Sequence, residues 1–222
     1  MTLIVLNFKT YRESTGEQAV RLARICEDIS RDYAVQMIVV PQVADISAVA
    51  SAVKIPVYAQ HVDGVGFGGF TGHVTAACIA GAGASGSLIN HSERRLKLAD
   101  IEASISACRQ AGLKSIVCTN NVATTRAAAA LQPDYVAVEP PELIGSGIPV
   151  SKADPDVVAD SVKAVKAISP QVGVLCGAGI THGEDLSSAL ALGTEGVLLA
   201  SGIIKAKDQR KALEDLVAGA GR

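Results

Sequence analysis

Tryptophan is absent from the sequence, and aromatic residues make up only 3% of its 222 residues. A core without large rings has to be packed from Val, Ile, Leu and Ala. Long apolar runs are lacking as well, because no stretch approaches the roughly 18 uninterrupted apolar residues of a membrane-spanning helix. Residues 1–6 have no basic flank and the chain turns polar at Asn7, so we expect a cytoplasmic protein without a signal peptide or membrane association.

Excess charge of one sign and clustered metal ligands are also lacking. The net charge is −2 and the densest basic cluster is Arg94-Arg95 with Lys97, whereas a nucleic-acid partner needs a broad basic face. The five cysteines show no C-x-x-C spacing, which predicts reduced thiols. The histidines, His61, His73, His91 and His182, show no H-E-x-x-H spacing. We therefore expect neither nucleic acid nor a metal ion to bind.

Short apolar runs alternate with amphipathic stretches along the whole chain. The runs lack polar alternation, which is typical of parallel strands that are buried on both faces. The predicted strands are residues 3–8, 36–40, 55–59, 86–90, 115–118, 135–139, 172–176 and 196–200. Between them apolar residues recur at helical spacing, as in Leu22, Ile25, Cys26 and Ile29.

Start and stop signals frame these helices. Ser14 and Thr181 each stand three residues before a Glu, which is the capping-box pattern, and Asp154 precedes Pro155. These three positions are predicted helix starts. The predicted stops are Gly81, Gly112 and Gly193, each suited to the left-handed position after a helix.

Strands and helices in alternation leave two architectures, a closed barrel and an open doubly wound sheet. An open sheet collects its ligand groups at one crevice, whereas a barrel draws them from the whole ring. Here polar residues and glycines lie at or just after the C-terminal ends of many predicted strands: Asn7, Lys9, Gln60, His61, His91, Glu139, residues 177–179, Ser201 and Gly202. We therefore predict an α/β fold with a single (β/α)8 barrel domain, compact and with short helices, over residues 1–222.

Two glycine-containing loops after the seventh and eighth strands indicate a phosphate site. Residues 176–180 read Cys-Gly-Ala-Gly-Ile and residues 200–203 read Ala-Ser-Gly-Ile, so backbone N–H groups can approach an anion closely. Barrels often bind phosphate between these two loops. Two G-x-G-x-x-G matches are rejected as dinucleotide sites. The one at Gly64 has no acidic residue about 20 positions further on to hold a ribose, and the one at Gly81 precedes a strand rather than a helix.

Three strand ends supply groups for proton transfer. Glu139 ends an apolar strand at the rim, where partial burial makes a carboxylate a better base. His91 has the same position on another strand, and Lys9 adds a fixed positive charge. Residues 139–150 have the composition of a lid, with prolines near both ends and Gly145-Ser146-Gly147 between them.

Together these motifs resemble one family. The segments Asn7-Phe8-Lys9, Ala59-Gln60, Asn-His-Ser-Glu-Arg-Arg at 90–95, Val138-Glu139-Pro140 and Ile-Gly-Ser-Gly at 144–147 stand in the order and at the strand ends found in triosephosphate isomerases. The resemblance covers the whole chain. It implies interconversion of dihydroxyacetone phosphate and D-glyceraldehyde 3-phosphate through an enediolate, in glycolysis and gluconeogenesis, without a cofactor.

The resemblance also implies a role for each site residue. Glu139 would carry the proton between neighbouring carbons, and neutral His91 would polarise the carbonyl. Lys9, helped by Asn7, would bind substrate and stabilise the enediolate, and Glu93 would orient Lys9. The donors to the phosphate would be Ile144, Gly145, Gly177, Ala178, Ala200 and Ser201.

Some departures resemble the archaeal form of the family. The chain is short, Pro140-Pro141-Glu142 stands where the long form has a Trp-containing lid, and Cys-Gly-Ala-Gly at 176–179 stands where it has Tyr-Gly-Gly-Ser. This form implies a homotetramer rather than a dimer. In that assembly Thr71, in the long loop 61–73, would reach the site of a neighbouring subunit.

Two other classes of protein remain open. One is another phosphate-binding barrel enzyme, such as a ribulose-phosphate epimerase or a cyclase of amino-acid biosynthesis. Such enzymes favour an Asp after the first strand or a metal-binding His pair, and Asn7 and Lys9 supply neither. The other class is a non-catalytic phosphate-binding barrel, which the presence of both Glu139 and His91 disfavours.

Overall fold

The computed structural model describes residues 1–140, 143 and 148–221, with every side chain in these ranges except that of Val150. The described strands are β1 (Leu3–Asn7), β2 (Gln36–Val40), β3 (Tyr58–Ala59), β4 (Gly86–Ile89), β5 (Lys114–Thr119), β6 (Tyr135–Val138), β7 (Gly173–Gly177) and β8 (Gly196–Leu199). The described helices are α1 (Glu17–Asp32), α2 (Ile46–Ala52), α3 (Ala76–Gly81), α4 (Leu98–Gln110), α5 (Val122–Ala130), α6 (Val150–Ala153), α7 (Pro155–Ile168), α8 (Gly183–Ala191), α9 (Ser201–Ile204) and α10 (Gln209–Val217). None of these helices has the length and apolar character needed to cross a membrane.

The strands form one parallel sheet that closes on itself. Their order is β2-β1-β8-β7-β6-β5-β4-β3, and every neighbouring pair runs parallel. The two ends of this order meet, because Val39 of β2 bridges Val57 and its N–H donates to the Pro56 carbonyl at 3.2 Å. Closure confirms the predicted barrel and excludes the open sheet.

The strand side chains alternate between two cores. One core consists of strand residues alone and fills the barrel: Leu3, Val5, Ile38, Val40, Tyr58, Leu88, Ile116, Cys118, Ala137, Leu175 and Leu198. The opposite faces of the strands pack against the helices in a larger core. Asn7 continues the inward series of Leu3 and Val5, and Glu139 continues that of Ala137. The alternation therefore carries polar groups onto the rim above a packed interior.

The third strand is shorter than predicted. Residues 55–59 were expected to be extended, but β3 contains only Tyr58 and Ala59. Pro56 accepts a hydrogen bond from the Val39 N–H but has no N–H of its own to donate to a neighbouring strand, so the regular ladder does not extend to it.

Two of the three predicted helix starts are wrong. The Ser14 hydroxyl is buried and donates to the Phe8 carbonyl at 2.7 Å, and α1 begins after Gly16 instead. The Thr181 side chain does not cap α8, which begins after His182. The third start is confirmed, because Oδ1 of Asp154 accepts the N–H of Val157 at 3.2 Å.

The predicted helix stops are confirmed in two of three cases. Gly112 follows α4 with φ 70° and Gly193 follows α8 with φ 91°. Gly81 instead remains inside α3, and the left-handed residue after that helix is Gly83, with φ 95°.

Candidate active site

Side chains from three strand ends meet at the carboxyl end of the barrel. Lys9 follows β1, His91 follows β4 and Glu139 follows β6. The Nζ of Lys9 lies 3.1 Å from Oε1 of Glu93, whose Oε2 lies 3.5 Å from Nδ1 of His91. The Nε2 of His91 in turn lies 3.9 Å from Oε2 of Glu139. Groups that are far apart in the sequence therefore form one continuous cluster on one rim.

Lys9 has a backbone conformation that is unusual for a residue with a side chain. Its φ is 47°, in the left-handed region. Two contacts hold it there: the Lys9 N–H donates to Oδ1 of Asn7 at 3.0 Å, and Nε2 of Gln60 donates to the Lys9 carbonyl at 2.8 Å. Strain of this kind costs about 1–3 kcal/mol and clusters at functional sites. Asn7 thus acts on Lys9 through the backbone, while Glu93 contacts the ammonium group.

The hydrogen bonds of His91 indicate which ring nitrogen carries the proton. The backbone N–H of Glu93 donates to Nδ1 at 3.2 Å, so Nδ1 is an acceptor and carries no proton. The ring is then neutral, with its proton on Nε2. The Nε2–H points toward the side of the site on which Glu139 lies. A neutral imidazole can therefore donate a hydrogen bond to a substrate oxygen.

Asn90 and Arg95 fix the turn that carries His91. Asn90 has φ 62°, and its amide donates to the Cys118 carbonyl at 2.9 Å and accepts the Leu96 N–H at 2.8 Å. Arg95 donates to the Asn90 carbonyl at 2.9 Å. The left-handed residue immediately before His91 directs the ring into the mouth of the barrel, where it is only 7% exposed.

Glu139 is almost fully buried, with 3% of its surface exposed. Its N–H donates to the Thr119 carbonyl at 2.7 Å, which continues the pairing of β5 with β6. Among the described residues, Oε2 of Glu139 has no hydrogen-bond partner. A buried carboxylate oxygen without a partner is costly, and such groups are retained where chemistry needs them.

Two neighbours define the space around this carboxylate. Burial raises the pKa of the Cys118 thiol well above its usual range, and the adjacent Glu139 carboxylate raises it further. Cys118 therefore stays protonated and can donate to the carboxylate. On the other side lies Gly177, where any Cβ would overlap Cγ of Glu139. The sequence does not single out Cys118; its one signal is its position at the end of a predicted strand.

The loops after β7 and β8 offer backbone donors. Ala178 and Gly179 are consecutive left-handed residues, with φ 73° and 71°. After β8, α9 begins at Ser201, so its first N–H groups have no partner within the helix. The two loops touch, since a Cβ at Gly202 would lie 2.9 Å from Oγ1 of Thr181. Turns of this kind can bind an anion through N–H groups.

Not all of the predicted site residues lie within the described part of the chain. Ile144 and Gly145, and with them most of the predicted lid, lie outside the described residues. Thr71 is exposed in the loop between β3 and α3. Within the described part of the chain, no three His, Cys, Asp or Glu side chains are grouped to hold a metal ion.

His91 and the buried Glu139 carboxylate, whose Oε2 has no hydrogen-bond partner in the described part of the chain, face each other on the rim of a (β/α)8 barrel. This arrangement suits an enzyme that moves protons within one substrate, an intramolecular isomerase. Comparison with known proteins makes the assignment specific. The family model for triosephosphate isomerase matches residues 2–219. This chain belongs to the triosephosphate isomerase family.

Relatives from archaea are similar over nearly the whole chain. Triosephosphate isomerase of Methanococcoides burtonii is 66% identical over 215 residues, 97% of each chain. That of Methanosarcina barkeri is 62% identical over 217 residues, 98% of each chain. The crystal structure of the Bartonella henselae enzyme superposes with a TM-score of 0.77 at 21% identity, covering 98% of this chain and 99% of that one, and supports the fold. The protein is an aldose–ketose isomerase that interconverts dihydroxyacetone phosphate and D-glyceraldehyde 3-phosphate.

Proposed function

We propose that Glu139 is the catalytic base of this isomerase. The observation that carries the proposal is its buried Oε2, which has no hydrogen-bond partner among the described residues and lies 3.9 Å from Nε2 of His91. Glu139 removes a proton from the hydroxymethyl carbon beside the carbonyl of dihydroxyacetone phosphate. The C–H electron pair forms the C=C bond of an enediolate, and negative charge moves to the carbonyl oxygen. Glu139 then returns the proton to the neighbouring carbon.

His91 and Lys9 stabilise that negative charge. The Nε2–H of neutral His91 donates to the carbonyl oxygen and moves hydroxyl protons between the two oxygens; a neutral histidine in this role is a known feature of the family. The Lys9 ammonium supplies a fixed positive charge beside the enediolate. Asn7 and Glu93 are positioning residues, since one holds the Lys9 backbone and the other its ammonium group.

The phosphate group binds where the loops after β7 and β8 meet. The contact between Gly202 and Thr181 supports this, because it brings the N–H groups of both loops to one side of the rim. The proposed donors are Ile144, Gly145, Gly177, Ala178, Ala200 and Ser201. A phosphate held by these loops would anchor one end of the substrate, so that its three-carbon chain is held between the Glu139 carboxylate and the His91 imidazole.

A homo-oligomer, with a tetramer favoured over a dimer, is the assembly that we propose. The loop between β3 and α3 supports it, because Phe67 is 91% exposed and Phe70 is 42% exposed. Two large exposed rings in one loop are typical of a surface that another subunit covers. Thr71 lies next to Phe70 and would accompany it into the neighbouring subunit's site. We place this single-domain enzyme in the cytoplasm, consistent with five free thiols.

A coupled assay that follows glyceraldehyde 3-phosphate formation, with and without EDTA, tests the proposal. We expect turnover that EDTA leaves unchanged and that Glu139→Gln reduces by about 10²–10⁴-fold. Glu195→Gln is the matched control, because Glu195 precedes β8 at the opposite end of the barrel and pairs with Lys166. Turnover lost to EDTA would favour an epimerase-like metal enzyme, and near-normal turnover of Glu139→Gln would place the base elsewhere.

A further inference from the structure

One buried carboxylate outside the catalytic cluster gathers three donors from two parts of the chain. Asp185, in the first turn of α8, is only 3% exposed. Its Oδ2 accepts the N–H of Thr181 and the N–H of His182, each at 3.0 Å. Its Oδ1 lies 3.0 Å from Nζ of Lys152. We call residues 177–182 the phosphate loop. Its last two residues, Thr181 and His182, are therefore both hydrogen-bonded to Asp185.

The donors keep Asp185 charged. Burial alone raises the pKa of this carboxyl group, but the His182 N–H, the Lys152 ammonium and the Thr181 N–H outweigh it, so the pKa lies below its ordinary value. The same contact raises the pKa of Lys152. A fully ionised carboxylate with a fixed set of donors holds its neighbours in one geometry.

Lys152 comes from a different part of the chain. It lies on α6, in the stretch 148–153 that follows Glu139 in the chain. This stretch packs on the phosphate loop at a second point, since any Cβ at Gly179 would overlap the Ile148 carbonyl. At a third point the Ser151 N–H contacts the buried thiol of Cys176, the residue just before the phosphate loop. Residues 148–153 and the phosphate loop are therefore joined as one unit.

We propose that Lys152 and Asp185 are a positioning pair that sets the geometry of the phosphate loop. This inference rests on the proposed function, because it assumes that residues 177–182 hold the substrate phosphate. Asp185 orients the end of the loop through two N–H groups, and Lys152 fixes Asp185 from residues 148–153. Neither residue touches substrate; both act through the loop.

The second ion pair of Lys152 provides a control. Oε2 of Glu184 lies 3.6 Å from the same Nζ, but its side chain is 86% exposed, against 5% for Asp185. Exposed pairs contribute little because water screens them. Only the pair with Asp185 should therefore affect the loop.

The experiment compares Lys152→Met with Glu184→Gln and with the conservative Lys152→Arg. The readouts are kcat, KM for glyceraldehyde 3-phosphate, the inhibition constant of inorganic phosphate and the melting temperature. For Lys152→Met we expect KM and the phosphate inhibition constant to rise together by roughly 10-fold, with a smaller change in kcat. A change of this size is within the range of coupling energies between residues in contact, here Lys152 and Asp185. Lys152→Arg should restore both constants and Glu184→Gln should leave them unchanged.

The pairing itself is tested by combining variants. Lys152→Met should have little further effect in an Asp185→Asn background, because the partner charge is already gone. Wild-type phosphate inhibition in Lys152→Met, or a lower melting temperature with unchanged constants, would overturn the inference. Failure of the proposed function would look different: the wild-type protein would lack turnover, or phosphate would not compete with substrate.

Discussion

Cγ of Glu139 occupies the space that a Cβ would need at Gly177, so the last residue of β7 sets the position of the carboxylate that follows β6. The register places Val138 opposite Cys176, which brings Glu139 beside Gly177 on the inner side of the barrel. Glycine at this position is therefore required by the Glu139 carboxylate rather than by a turn, because the φ of Gly177 is not in the left-handed region.

Replacing Gly177 with alanine should displace that carboxylate. We expect Gly177→Ala to lower kcat by about 10²-fold, the cost of a misplacement on the order of 1 Å in a catalytic group. The control is Gly81→Ala in α3, where a Cβ meets nothing within 4 Å and alanine favours the helix. Steady-state kinetics and melting curves of both variants check this, and wild-type kcat in Gly177→Ala would contradict it.

Replacing His91 should affect turnover more than folding. In His91→Gln the ring is lost, and with it one hydrogen bond, the one that Nδ1 accepts from the Glu93 N–H. We expect kcat to fall by about 10²-fold or more with a small change in melting temperature. A large drop in melting temperature with little loss of kcat per folded molecule would assign His91 a structural role instead.

Much of the fold could be predicted because its signals are local. Apolar runs mark the strands, and polar residues at their ends separate a barrel from an open sheet. Local patterns fail where a distant group competes: the hydroxyl of Ser14 bonds to Phe8 instead of capping α1. The cap at Thr181 fails for a local reason, because its hydroxyl donates to the Gly179 carbonyl at 3.3 Å and α8 begins one residue later, after His182.

The candidate site was predicted where a residue's position at a strand end was enough. Glu139, His91 and Lys9 each follow a strand, so a barrel brings them together whatever the details. Cys118 and Asp185 could not be found in this way. The contact of Cys118 with Glu139 depends on the register between neighbouring strands, and that of Asp185 with Lys152 depends on how residues 148–153 cross the β7 loop. No sequence spacing encodes either contact, whereas the bonds of Asp185 to the Thr181 and His182 N–H groups are local, four and three residues apart. The catalytic roles themselves remain predictions for the variants above.

The Asp185 carboxylate should make stability depend on pH in a defined direction. Its pKa is lowered in the folded protein, from 3.8, so its contribution is present at neutral pH and is lost as the pH falls through the folded value. Asp185→Asn should therefore cost about 1–3 kcal/mol at pH 7, and the difference from wild type should shrink below pH ~4. Asp28 and Asp63, whose pKa values are also lowered, are present in both proteins, so their contributions cancel in the difference between wild type and Asp185→Asn.

Urea unfolding of wild type and Asp185→Asn at a series of pH values measures that difference directly. The comparison variant is Asp160→Asn, since within the described part of the chain Asp160 forms an exposed pair with Lys163, and such pairs contribute little to stability. A gap between wild type and Asp185→Asn that widens on acidification would have the wrong sign and would refute the assigned interactions.

The cysteines should differ sharply in reactivity. Cys78 on α3 is exposed, whereas the other four are buried. Burial raises the pKa of Cys108 and of Cys176 to about 12 and raises those of Cys26 and Cys118 as well, so these thiols remain protonated and unreactive at pH 8. Native protein treated with iodoacetamide should carry one adduct by mass spectrometry, and protein in urea should carry five. Cys78→Ser should carry none when native, and activity should survive alkylation because α3 lies away from the cluster of Lys9, His91 and Glu139. An adduct on Cys118 without denaturant would mean that the space beside Glu139 opens to solvent. Burial of the Glu139 carboxylate could then no longer support its proposed role as the base.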